Sequence, residues 1–178
     1  MTTTRRNPGR PSATDVVLGA LLVLAGAVLL TATYLKVVPS PAALSAYILA
    51  AGVLAIVGSL VGRTSPGFFS EITSGAQLAV LGAVMLRYPA TPVATLLLVA
   101  GAFFAVNGLV RLAAATEYPS LRPIWLVGGA ASLALAAAVV AETPAPSLAT
   151  LGLLVGVALV VDGLSALLIG RRPHPSRR

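Results

Sequence analysis

The sequence predicts an all-α polytopic membrane protein, with six transmembrane helices arranged as three tandem, parallel helical-hairpin repeats. Composition is the first observation behind this reading. The chain is 57% hydrophobic and only 10% charged, with a mean hydropathy of +0.96. A soluble domain carries about 25% charged residues to cover its surface, so most of this surface must meet lipid. The second observation is that proline-bearing breaks cut the apolar sequence into segments long enough to cross a bilayer. The third is that glycine, proline and threonine positions recur between segments.

The elements follow in order. Residues 1–14 are polar, contain Arg5, Arg6, Arg10, Pro8 and Pro11, and lack periodicity, which predicts a disordered basic cytoplasmic tail. The spans of the transmembrane domain (15–170) are expected at 16–35, 42–62, 69–86, 93–115, 124–141 and 148–170, and a basic cytoplasmic tail follows at 171–178. Each span approaches the ~20 apolar residues that cross a hydrocarbon core of roughly 30 Å. The third is the most polar, because Ser70, Glu71, Thr73, Ser74 and Gln77 lie near its start. Proline removes a backbone donor and ends helices, and here it marks the gaps between the spans. In lipid every backbone group must pair within its own segment, so these spans are helices; a barrel would need short alternating segments.

Orientation follows from the cations. With the N-terminus inside, the cytoplasmic face collects Arg5, Arg6, Arg10, Arg63, Arg111, Arg122, Arg171, Arg172, Arg177 and Arg178, against Lys36 and Arg87 outside. The positive-inside rule then places both ends on the cytoplasmic side of the membrane. Tyr34 and Tyr88 fall at the outer boundary, and Tyr118 and Trp125 at the inner one. Reading the first span as a cleaved signal peptide conflicts with its place in the repeat.

The repeat is visible by direct comparison. Gly19-Ala-Leu-Leu-Val-Leu-Ala-Gly-Ala-Val-Leu-Leu30 matches Gly75-Ala-Gln-Leu-Ala-Val-Leu-Gly-Ala-Val-Met-Leu86 in both glycines and both Gly-Ala steps. Pro89-Ala-Thr-Pro-Val-Ala-Thr-Leu96 matches Pro144-Ala-Pro-Ser-Leu-Ala-Thr-Leu151, and the same offset carries Gly101 onto Gly156 and Asn107-Gly108-Leu109 onto Asp162-Gly163-Leu164. The unit is a hairpin with a short outer turn, and copies that share one orientation are related by an axis along the membrane normal. Gly58…Gly62, Gly152…Gly156 and the Gly128, Ser132, Ala136 stripe are expected to let helices approach closely.

This pattern over Asp15 to Gly170 resembles the HdeD family of bacterial acid-resistance membrane proteins. That family pairs a Gly-rich helix with a second helix ending in a G-x-x-x-x-x-D-G-[IL] segment. Here the segment reads Gly101…Asn107-Gly108-Leu109 and Gly156…Asp162-Gly163-Leu164. Asn107 replaces the acid in the second copy, and Val57-Gly58 stands at the place taken as equivalent in the first. The resemblance implies a stress-related protein of the bacterial plasma membrane, with acid resistance as the stress it suggests, and it fixes no activity.

Asp162 is the ionisable residue lying well inside a span, and it falls in the inner half of the last one. A charge there costs at least ~2.5–3.5 kcal/mol on insertion scales, which makes an intramembrane acid a functional candidate. Arg111 lies one turn after Asn107 on the same helical face and leans toward the level of Asp162. A polar cluster of Asn107, Arg111 and Asp162 between the fourth and sixth spans is therefore expected. The bland alternative has Arg111 snorkelling to the inner headgroups. Asp15 and Glu71 read as anions at helix starts, Glu142 as a solvated outer residue, and His174 as an inert residue of the tail.

Several classes are excluded. There is no cysteine, hence no disulfide or thiolate site. No nucleophile triad, HExxH, Walker loop or metal-spaced cluster occurs, so neither an enzyme nor a cofactor is expected. The basic balance, 12 Lys and Arg against 5 Asp and Glu, lies mostly in tails and loops, which favours membrane orientation over nucleic acid. The expected partners are the lipid bilayer and either a second copy or another envelope protein, with no small-molecule ligand. Against this stands a small transporter or channel lined by Asp162 and Asn107.

Overall fold

A computed structural model of the chain describes residues 13–35, 40–61, 68–141 and 145–170. These form six α-helices: α1 (Ala13–Tyr34), α2 (Pro41–Val61), α3 (Phe68–Arg87), α4 (Val93–Glu117), α5 (Arg122–Val140) and α6 (Leu148–Gly170). A short 3-10 turn, Pro119–Leu121, joins α4 to α5 where the sequence suggested only an irregular gap. All six are long and apolar enough to cross a membrane, an arrangement that fits a multi-pass integral membrane protein. Lys36, Arg63, Glu142 and the tail residues 1–12 and 171–178 lie outside the described residues.

Local chemistry sets the helix starts. Ser40 accepts the Ala43 amide at 3.2 Å ahead of Pro41, and Ser147 accepts the Thr150 amide at 3.0 Å. Both are N-caps satisfying amides that a helix leaves unpaired. Pro123 stands in the first turn of α5, where a missing amide donor costs nothing. Within the helices, Ser59, Ser132, Ser165 and Thr33 donate to carbonyls one turn back, so apolar surroundings do not strand their hydroxyls.

The helices form a ring in chain order, closed by α1 against α6. The closest packing is in three antiparallel pairs, α1–α6, α2–α3 and α4–α5. The sequence neighbours α1–α2, α3–α4 and α5–α6 touch more lightly. Glycine explains the difference. A β-carbon built on Gly163 would lie 2.6 Å from the Gly19 carbonyl oxygen, and one on Gly26 would lie 2.7 Å from that of Gly156. One on Gly75 would lie 3.0 Å from the Gly52 carbonyl, and one on Gly108 the same distance from that of Gly129. Without a hydrophobic drive between helices in lipid, such close approach is what holds them together.

Gly52 crosses Gly75 as Gly108 crosses Gly129 and Gly163 crosses Gly19. Ala51, buried beside Gly52, thus holds the place next to its crossing that Asn107 holds next to Gly108 and Asp162 next to Gly163, and Val57 does not. Gly58 packs instead on the Leu18 side chain.

The half of the bundle holding the α3–α4 turn is filled by Leu29, Leu44, Ile48, Leu81, Leu96 and Val155 and their neighbours. At the opposite end Trp125, 2% exposed, packs with Ala115 and Leu121. The indole stands in the first turn of α5 and is covered by protein there, with Leu121 of the 3-10 turn packed against it. Tyr34 and Tyr88 are exposed at the other end, where Arg87 lies over the Tyr88 ring at 5.6 Å. Outward-facing Val17, Leu24, Val28, Val53, Val57 and Val127 give the ring an apolar exterior suited to lipid.

Candidate functional site

The polar site grows from the same crossings. Gly163 turns its face to α1, and the preceding Asp162, about 100° away on the helix, is directed toward the bundle interior. There Asp162 Oδ1 accepts from Arg111 Nη2 of α4 in an ion pair, and Oδ2 accepts from Ser74 Oγ of α3. Arg111 Nη1 donates to Ser165 Oγ at 3.2 Å, and Ser165 donates in turn to the Val161 carbonyl at 2.8 Å. One carboxylate thus ties three helices.

Helix α5 contributes by what it omits. A β-carbon on Gly128 would lie 2.6 Å from Arg111 Nη1, so the glycine makes room for the guanidinium. Arg111 is 3% exposed, which replaces the snorkelling alternative with an inward-directed, paired cation. The pairing is what makes both charges tolerable, since either one alone at this depth would be buried without compensation.

Asn107 is buried at the same level, yet it makes no bond to Asp162. Its Oδ1 has no hydrogen-bond partner among the described residues. It borders an internal cavity shared with Ser74, Gln77 and Asp162. A second, smaller cavity on the far side of Asp162 is bordered by Glu71, Ser74 and Arg111. Glu71, read from sequence as a boundary residue, therefore reaches the edge of the polar core.

Asn107, Arg111 and Asp162 are thus brought to one level, with two of them in direct contact. Sequence reasoning missed Ser74, Gln77, Ser165 and Gly128. Signals existed for some. Ser74 and Gln77 are three apart on one helical face, and Ser165 follows Asp162 by the same step. Gly128 belonged to a noted small-residue stripe, but nothing in that stripe said it would face an arginine. Among the described residues no three of His, Cys, Asp and Glu gather at metal-binding distance. As built, the site can fix helices through charge and hold small polar species beside the pair.

Residues 73–141 match a family described as a short repeat of unknown function (DUF308), the family that includes HdeD-like membrane proteins. The matched stretch carries Ser74, Asn107, Arg111 and Gly128, while Asp162 lies beyond it. No curated protein and no solved structure matches the chain.

Proposed function

We propose that this is an HdeD-like, non-catalytic protein of the bacterial plasma membrane that supports envelope tolerance of stress, acid among the stresses. It is a bundle of three tandem hairpin repeats with both ends in the cytoplasm. The observation that carries the reading is the buried Arg111–Asp162 pair, which joins α4 to α6 and, through Ser74, α3. Its position inside an otherwise apolar ring suits a bundle that must keep its helices in register. Support for the repeat comes from the three glycine crossings at Gly19–Gly163, Gly75–Gly52 and Gly108–Gly129. Support for the family comes from the match over residues 73–141.

The transport alternative has one observation in its favour, the cavity beside Asp162. It has less support overall, because Leu29, Leu44, Ile48, Leu81 and Leu96 pack closely through the other half of the ring. A conducting path needs polar groups or water at successive depths.

Deleting the gene should lower survival under acid challenge, and the intact chain supplied from a plasmid should restore it. Equal survival of deletion and parent strains across acid, osmotic and antibiotic challenge would sink the stress reading. Proteoliposomes should show no ion flux above empty vesicles. A flux that Asp162→Asn abolishes, with the variant inserting normally, would establish transport instead.

A further inference from the structure

We propose that the cavity beside Asp162 is a binding site for one ordered water molecule, which goes beyond the stress reading and does not depend on it. Asn107 is 5% exposed, and its Oδ1 is a buried acceptor without a protein partner among the described residues. An orphaned buried carbonyl costs about 1–3 kcal/mol, so a native site supplies it a donor. The cavity that Asn107 borders is lined in part by polar residues from three helices: Ser74 and Gln77 of α3, Asn107 of α4 and Asp162 of α6. The rest of its lining is apolar and makes up the larger part, with Leu78, Leu81, Phe103 and Phe104 its largest residues.

Size decides how much the site holds. It offers ≈ 20 Å³ to the centre of a water-sized sphere, against ≈ 10 Å³ for the neighbouring cavity bordered by Glu71 and Arg111. A water needs at least about 10–15 Å³ on this measure and two to four polar partners. The first cavity therefore takes one water, and the second sits at the limit.

Charge decides the species. The Asp162 carboxylate is already matched by Arg111 and by the Ser74 hydroxyl. A sodium ion would have to be held mainly by the neutral carbonyls of Asn107 and Gln77. Water instead donates to Asn107 Oδ1 and keeps its remaining hydrogen-bonding capacity for Gln77 or the Ser74–Asp162 wall. When the water also meets that wall, Asn107 is joined to the ion-pair network through solvent.

The sequence makes a clean test available, because Asn7 and Asn107 are its only asparagines and Gln77 its only glutamine. The full chain, labelled with ¹⁵N on these side-chain amides and placed in phosphatidylglycerol–phosphatidylethanolamine vesicles, is read by water-to-amide magnetisation transfer. Both Asn107 and Gln77 should receive magnetisation from water. Asn107→Leu, which removes the acceptor at similar volume, should abolish transfer to Gln77. Asn107→Ser, which keeps an acceptor and leaves more room, should retain it and serves if the leucine variant fails to insert. Absence of transfer to Asn107 while Asn7 shows it would overturn the proposal. A shift of the Asn107 and Gln77 signals when sodium is replaced by N-methylglucamine would overturn it too, by making the occupant a cation.

Discussion

At the scale of single residues, the decisive contact is the one between Arg111 and Asp162. Both side chains are almost wholly buried, at 3% and 11% exposure. Taking one partner from a buried pair leaves the other charge uncompensated and costs about 3–5 kcal/mol. Replacing both with apolar groups of similar volume is often close to neutral. Arg111→Met should therefore lower stability strongly, as should Asp162→Leu, while Arg111→Met/Asp162→Leu should recover most of the loss. Unfolding of purified protein in mixed micelles by increasing SDS fraction measures this. Additive losses would show that the pair does not act as a unit. The pair was legible before the structure, because an acid and an arginine at matched depth in two spans have few other ways to be accommodated. Ser74 and Ser165 were less so. A serine in a membrane helix satisfies itself by donating to its own backbone one turn back, as Ser132 does to Gly128, and composition cannot distinguish that from a serine aimed at a carboxylate. Gly128 was opaque for a different reason: its role is the space it leaves for a side chain on another helix.

Among the elements, helix partners are set by glycines seven residues apart. Gly19 and Gly26 on α1 meet Gly163 and Gly156 on α6, so one face stays turned to its partner through two helical turns. The crossing tolerates no added atom where backbone meets backbone. A β-carbon on Gly163 would lie 2.6 Å from both the Gly19 carbonyl oxygen and the Val23 amide nitrogen. At Gly152, one of the sequence's GxxxG glycines, the nearest atom would be the Thr33 hydroxyl at 3.2 Å, then Leu29 at 3.7 Å. Gly163→Ala should accordingly cost about 1–3 kcal/mol, the usual penalty of overpacking. Gly152→Ala should be close to neutral, since helix propensity offsets a small side-chain adjustment. The same SDS titration compares them, and equal losses would remove the special role of the crossing. The spans themselves were readable from hydropathy, and the glycine positions from the repeat. Which helices those glycines join was not. A hairpin read along the chain suggests that helices sharing an outer turn pack most closely, whereas the close approach of backbones favours α1 with α6 and α2 with α3.

For the whole molecule, antiparallel packing of α1 on α6 puts the start of the first helix and the end of the last at the same face of the ring. The polar core lies toward that face: Ser74 is near the start of α3, and Arg111 and Asp162 are in the later halves of α4 and α6. The apolar plug occupies the other half. The bundle is thus polarised along its axis, and the orientation proposed above, with both ends in the cytoplasm, puts the ion pair nearer that side. The absence of cysteine makes the orientation directly measurable. Ala90 lies exposed in the turn between α3 and α4, and Glu117 is exposed at the opposite end of α4. In single-cysteine variants, Ala90→Cys should react with a membrane-impermeant maleimide on spheroplasts whose outer membrane has been removed. Glu117→Cys should react only after the plasma membrane is permeabilised. Reversed labelling would invert the bundle and place the ion pair toward the periplasm. Labelling of both in intact spheroplasts would mean that the chain inserts in two orientations, and that the arginine excess is too weak to choose between them.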